Sequence, residues 1–401
     1  MRLLSLATVL ALAPALFGRG GETYSWPQWD GPKRSGTSTE SDWNSEGKEK
    51  DLWRVETGLG YSTVSISDGR LFTMGYDVEK GLDSVWCLDP MSGEVKWQHS
   101  YPSKIWNQAH EGGTVNTPSI DGDVIYSLNR EGNLFCLKAA TGEVVWHNAL
   151  MEEDNMHELE IPTWGFSASP LLVGDDLILN CGRILSIDKE SGDVLWRSKD
   201  YGHAYGTPLA FEQDGKPLIA VLNGFGVAVV NQEDGTEVCT KEFAGKSLGI
   251  NAATPVLIDG SIFVCTRTLP SAARLRIEEG KLVTEWENRE MVTSFSGCVL
   301  VEGFLYGFDG EVLKCVDEAG ERAWMERGIG NGAVLAAGDR LIVMGGTGEL
   351  IVTKATETKY DELSKVKLFD EGNYWTKPIL VNGIIYCRSS KGTLVARDHR
   401  E

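Results

Sequence analysis

Hydrophobic and polar residues alternate along most of this chain in short runs, and two-residue turns divide the runs at near-regular intervals. "TPSIDGDVIYSL" and "TPVLIDGSIFVC" show the unit: an apolar stretch, a turn, another apolar stretch. A period of two predicts β-strands with one buried face, and Asp-Gly or Asn-Gly tolerates the positive φ angles of a tight hairpin. Eight such turns occur, at Asp68-Gly69, Asp121-Gly122, Gly174-Asp175, Asp214-Gly215, Asp259-Gly260, Glu302-Gly303, Gly338-Asp339 and Asn382-Gly383. Each predicts a hairpin of two strands.

A second signature runs between the hairpins. "MSGEVKW" ends at Trp97, "ATGEVVW" at Trp146, "ESGDVLW" at Trp196 and "EAGERAW" at Trp324. It predicts a third strand, a turn made tight by glycine, and a fourth strand that ends near tryptophan. The tryptophans, Trp53, Trp97, Trp146, Trp196, Trp286 and Trp324, are expected to dock against the neighbouring repeat while their N–H groups find carbonyls. The fourth repeat has Cys239 in the tryptophan position, the fifth stretches the spacing to Trp286, and the seventh ("TKATETKYDELSK") has lost the signature.

Four antiparallel strands recurring every forty-odd residues describe a β-propeller blade. From Trp53 onward the 401-residue chain allows about 43 residues for each of the eight hairpins, the size of one blade. The expected fold is therefore all-β, an eight-bladed β-propeller over residues 51–401. The last hairpin is followed by one further strand, "GTLVARDHRE", so residues 51–57 ("DLWRVET") are expected to supply the missing outer strand and close the ring.

Composition narrows the function classes. A net charge of −20 argues against general affinity for nucleic acid or anionic lipid. "MRLLSLATVLALAPALFG" pairs a positive start with an apolar run too short for a stable membrane span, so residues 1–20 read as a secretory signal and 21–50 as a leader. No Cys lies in that region, and a lipoprotein anchor is not expected. The eight cysteines include no C-x-x-C; Cys87, Cys136 and Cys315 share one strand position and Cys181, Cys265 and Cys387 another, as small apolar fillers do. The six histidines show no metal-ligand spacing, and no catalytic or metal-ligating set is assigned.

The phrases "CLDPMSGEVKW" and "SIDKESGDVLW" resemble the pyrroloquinoline-quinone (PQQ) repeat with its tryptophan-docking motif, over nearly all the chain from about residue 51. "WPQWDGPKRSG" (26–36) is similar to the leader of secreted PQQ-like propeller proteins from planctomycete-type bacteria. The resemblance implies the quinoprotein alcohol dehydrogenase-like fold and two different roles. Quinoprotein dehydrogenases hold PQQ and calcium, often beside a vicinal Cys-Cys pair. BamB-type subunits of the outer-membrane β-barrel assembly machinery use a similar propeller, without cofactor, to bind protein. No two cysteines are adjacent here, and no calcium-ligating set can be matched. The acidic "MEEDNMHELE" (151–160) reads as a solvated loop.

In a propeller the first strand of each blade lines the central channel, and the residues leading into it form one face of the ring. Those positions supply the binding candidates Asn116, Trp164, Phe166, His203, Tyr205, Asn251, Phe295, Trp375 and Lys377, as aromatic rings converging with a few polar groups suit a pocket. Two longer inserts, 101–113 and 148–164, stand beside the same face. The chain is accordingly expected to be an exported, monomeric, non-enzymatic scaffold of the periplasm or cell envelope. It would bind a protein or glycan partner and no cofactor. The alternative is a PQQ- and calcium-dependent dehydrogenase, or its degenerate descendant.

Overall fold

The computed structural model describes residues 24–48, 50–108, 110–152, 160–203, 205–243, 251–267, 270–293 and 295–401, so the expected secretory signal at 1–20 lies outside the described residues. Eight antiparallel four-stranded sheets follow one another along the chain as the blades of an eight-bladed β-propeller. Blades 1 to 7 span residues 65–102, 119–149, 171–197, 209–242, 256–288, 299–326 and 333–367. Blade 8 takes its three inner strands from 379–398 and its outer strand from Asp51–Glu56, which pairs antiparallel with Thr393–Asp398. No helix among the described residues is long and apolar enough to cross a membrane.

The turn chemistry explains the inner hairpins. In blade 1 Asp68 and Gly69 take φ 49° and 69° between the paired residues Ser67 and Arg70. These positive angles match the right-handed twist of the flanking strands. In blade 2 the expected Asp121-Gly122 turn is shifted by one residue. "IDGDV" offers both Asp-Gly and Gly-Asp, and the pairing of Asp121 with Val124 selects Gly122-Asp123.

The Gly–Trp signature works between blades. Gly142 has φ +74°, and a Cβ on it would lie 2.6 Å from the Trp97 ring of the preceding blade; Gly192 stands likewise against Trp146. The glycine thus makes its turn and also leaves the space that the neighbour's indole fills. Trp53, Trp97, Trp146, Trp286 and Trp324 donate to the carbonyls of Pro90, Ala139, Lys189, Glu318 and Thr356 at 2.6–3.0 Å. Trp196 departs from the expected pattern. Its ring crowds Gly235, and its N–H meets no acceptor among the described residues. A register shift just before the tryptophan position aims the ring sideways and recurs in all eight blades. Blades 4 and 7 keep that bulge without the tryptophan. The backbone repeat outlasts the sequence repeat.

The seam between blades 8 and 1 carries extra fastening. Arg388, 1% exposed, donates through Nη1 to Ser62 O, Thr73 Oγ1 and Met74 O and through Nη2 to Gly58 O, at 2.6–3.2 Å. Arg397 Nη1 and Asp51 form an ion pair at 2.9 Å beside the joining strands.

The leader lies across one mouth of the channel. Trp26 bridges Ile66 of blade 1, Ile120 N–H of blade 2 donates to Pro27 O, and Leu172 N–H of blade 3 donates to Gln28 Oε1. Trp29 Nε1 then reaches Thr254 beside blade 5, and Thr37–Ser38 adds a parallel strand to blade 7. The Glu40 carboxylate accepts from the N–H groups of Asn382 and Gly383 in the blade 8 hairpin. Trp26 and Trp43, 1% and 2% exposed, join the core shared by blades 1, 7 and 8.

Candidate functional site

Strand order decides what each face of the ring can offer. The turns between first and second strands and between third and fourth strands emerge on the leader side. The turns between second and third strands, and the connections between blades, emerge on the other. On that second face the channel opens into a cavity of about 460 Å³. Trp29 of the leader forms part of its lining.

Its walls hold two aromatic groups. Trp375 is stacked between Tyr61 (centroids 5.2 Å apart, planes 12° apart) and Phe295 (4.3 Å, 20°). His110 stands edge-on to Tyr61 at 5.1 Å. On another wall Trp164 leans on Tyr205 at 5.5 Å. The stack is held from behind: Tyr61 Oη donates to Glu111 Oε2 at 2.7 Å, and Asn373 Nδ2 donates to the same oxygen at 2.7 Å. Burial, followed by the hydrogen bond to Glu111, raises the Tyr61 pKa well above the ordinary phenol value, so the ring stays neutral.

The charged groups are few. Arg130, in the turn after the second strand of blade 2, is 2% exposed, and its Nη1 donates to Trp164 O at 2.7 Å. Its Nε and Nη2 have no hydrogen-bond partner among the described residues. Burial lowers its pKa to about 10, so it remains a cation at neutral pH. Burial, then the charge of Arg130, lowers His110 to about 4, which leaves a neutral imidazole at pH 7. Gly112 N–H donates to His110 Nδ1 at 3.1 Å, which puts the ring proton on Nε2. Beneath Arg130, burial raises the Asp83 carboxyl to about 6, and Asn129 Nδ2 donates to its Oδ2 at 3.2 Å. Arg267 also lines the cavity, and Asp309, the carboxylate of the lining, is held by Lys314 at 2.6 Å. The site is a cationic, aromatic hollow in a strongly acidic chain.

Of the residues singled out from the sequence, Trp164, Tyr205, Phe295 and Trp375 line this cavity together. Phe166, 0% exposed, turns instead into the core between blades 2 and 3. Asn116 and Asn251 are buried ties between blades: Asn116 Nδ2 donates to Ala168 O, and Asn251 donates to Asn223 O while accepting from Thr266 Oγ1. His203 is exposed and lies outside the lining. Lys377 is buried toward the leader, where it pairs with Asp30 and sits 5.6 Å over the Trp29 ring. Sequence reasoning missed Tyr61, His110, Arg130, Arg267 and Trp29. Tyr61 stands before the first strand of blade 1 at the position that Tyr205 takes before that of blade 4, and that equivalence was available. The arginines stand in short polar turns with no such marker.

The described residues do not fit calcium-held PQQ. No group of three His, Cys, Asp or Glu among the described residues converges on a metal position, and Asp309 is already engaged. The insert 148–164, whose residues 153–159 lie outside the described residues, brings Trp164 to the cavity. Cys265 and Cys298 approach to 3.8 Å through space, in the core between blades 5 and 6 and away from the lining.

Comparison with known proteins agrees with the architecture. The profile of the family described as "Outer membrane protein assembly factor BamB" matches residues 83–326, more than half of the chain. The chain is 20% identical over 327 residues to outer membrane protein assembly factor BamB of Yersinia pestis, covering 73% of this chain and 77% of that protein. Among solved structures, BamB from Moraxella catarrhalis superposes with a TM-score of 0.62 at 17% identity, covering 87% of this chain and 97% of that one. Quinohemoprotein alcohol dehydrogenase from Comamonas testosteroni gives 0.66 at 13% identity, covering 93% and 80%. At these identities the structural likeness speaks to the fold.

Proposed function

Since the chain belongs to the PQQ-like propeller family described as outer membrane protein assembly factor BamB, we propose that it is an exported, non-enzymatic scaffold of the periplasm or cell envelope that grips a partner protein at the aromatic cavity. The observation that carries this reading is the cavity itself. Rings from five inter-blade connections, Tyr61, Trp164, Tyr205, Phe295 and Trp375, converge there on a rigid frame and offer planar apolar area at little entropic cost. The mouth is on the face where the inserts stand, and the opposite mouth is occupied by the chain's own leader. The dehydrogenase alternative requires a calcium-held quinone, which finds no ligand set among the described residues.

Partner capture from envelope extracts is the test. With Trp164 and Tyr205 both changed to Ala, capture is expected to fall at least tenfold while the unfolding midpoint stays near that of the parent. Equal capture would overturn the reading. Titration with PQQ and Ca²⁺, followed by dye-linked alcohol oxidation, is expected to give neither saturable heat nor turnover. Turnover would return the protein to the dehydrogenases.

A further inference from the structure

We infer that the cavity receives the C-terminal end of a polypeptide, with its α-carboxylate on Arg130 and an aromatic or bulky apolar last side chain among the rings. This rests on the scaffold reading and deepens it. The guanidinium is anchored through Nη1 to Trp164 O, which leaves the Nε–Nη2 edge without a partner among the described residues. That edge carries two parallel N–H donors, the arrangement that takes a carboxylate bidentately. A buried cation without a counter-ion in contact is unfavourable, and a ligand carboxylate supplies that contact. Asp83 acts on Arg130 through its charge and not by contact: its Oδ2 accepts from Asn129, and no ion pair joins it to the guanidinium among the described residues.

The shape selects an end over a loop. The leader crosses the opposite mouth of the channel and puts Trp29 into the lining, which favours a chain end over a segment threaded through. About 460 Å³ is small within the range of roughly 300–1,000 Å³ for small-molecule sites and suits one or two residues. The Tyr61–Trp375–Phe295 stack and the Trp164–Tyr205 pair favour an aromatic or apolar terminal side chain. Nε and Nη2 are themselves buried, so binding includes a small displacement of the lining rings.

The test titrates the full protein with an N-acetylated pentapeptide ending in phenylalanine, in free-acid and amide forms, and with an amide-capped pentapeptide carrying an internal Asp. The free acid is expected to bind at least tenfold more tightly than either amide, and Arg130→Gln to remove that preference. Arg130→Lys, which keeps the charge but not the fork, is expected to restore it only in part. Equal binding of acid and amide, or binding of the internal-Asp peptide as tight as the acid, would overturn the inference. If that happens while capture still depends on Trp164 and Tyr205, the scaffold reading stands and the carboxylate assignment alone fails.

A separate observation carries a second inference: the structure assigns Cys265 and Cys298 as a disulfide-forming pair linking blades 5 and 6. Their Sγ atoms are 3.8 Å apart and both side chains are buried, with Thr293 Oγ1 2.7 Å from Cys265 Sγ. Two thiols give up two electrons and two protons to a disulfide oxidant, such as oxidised glutathione, which leaves as two thiols. Refolding the protein with oxidised glutathione is expected to yield one intramolecular bridge joining the peptides that hold Cys265 and Cys298, and a higher unfolding midpoint than the reduced form. Cys298→Ala is expected to leave Cys265 as a free thiol. A bridge between any other pair, or eight free thiols after oxidative refolding, would overturn it.

Discussion

Arg388 and Arg130 are both almost wholly buried, and both stand near the end of the second strand of their blade, on the same face of the ring. Arg388 spends its two terminal nitrogens on four acceptors that belong to blade 1 or to its approach; only Nε is left over. Arg130 makes one bond, to Trp164 O, and leaves an entire edge over. Burial alone therefore does not separate a structural arginine from a binding one. The inventory of donors does, and it divides the molecule into a fastened seam and an incompletely satisfied cavity.

The largest expected effect tests that division directly. Arg388→Met strips donors from the carbonyls of Gly58, Ser62 and Met74, and at about 1–3 kcal/mol for each buried group left unpaired the loss is about 3 kcal/mol or more. Arg130→Met removes a cation with one partner and is expected to be neutral or mildly stabilising. Guanidinium unfolding of the two variants measures the contrast, and equal losses would erase it.

Next in size is the Gly–Trp contact. Gly142→Ala is expected to cost about 2–3 kcal/mol, from the left-handed backbone and the collision with Trp97 together. Gly122→Ala, with φ +56° and open space around it, should cost only about 1 kcal/mol. Smaller again, Trp97→Phe should cost about 1 kcal/mol more than Trp196→Phe, because only Trp97 loses a hydrogen bond.

The smallest effect concerns pH beneath Arg130. The folded-state pKa of Asp83 is raised to about 6, above its unfolded value, so between those two values the folded chain binds a proton that the unfolded chain does not. Its contribution to stability grows as the pH falls through about 6 and is absent above it. The difference in midpoint between the parent and Asp83→Asn should therefore change between pH 7 and pH 4.5. A constant difference would place the Asp83 pKa outside that window.

The frame was legible because its signals are local. A two-residue Asp-Gly turn, a glycine and a tryptophan each declare a conformation within a few residues, and eight repetitions reinforce one another. The site was legible in half. Trp164, Tyr205, Phe295 and Trp375 were found because residues leading into inner strands must face the channel region. Phe166 stands two residues beyond Trp164 in the same lead-in, yet the sharp bend at Gly165, φ +72°, packs it into the core. Arg130 reads in the sequence as one more charge in the polar turn "NREGN". Only the closeness of Gly165, whose missing side chain lets it lie against Arg130, turns that charge inward. Trp29 reaches the cavity across the ring from residues distant in sequence, a relation no periodicity encodes.

The fastening of the seam also sets a schedule. Asp51 and its partner Arg397 are 346 residues apart, so at about 5–20 residues per second the outer strand of blade 8 is made tens of seconds before the strand it completes. Through that interval the leader has no finished channel to cross, and blade 1 presents a bare flank. Whatever accompanies the growing chain must shield the outer strand of blade 8 through that interval, and the ring becomes a ring only when Thr393–Asp398 arrives to pair with it.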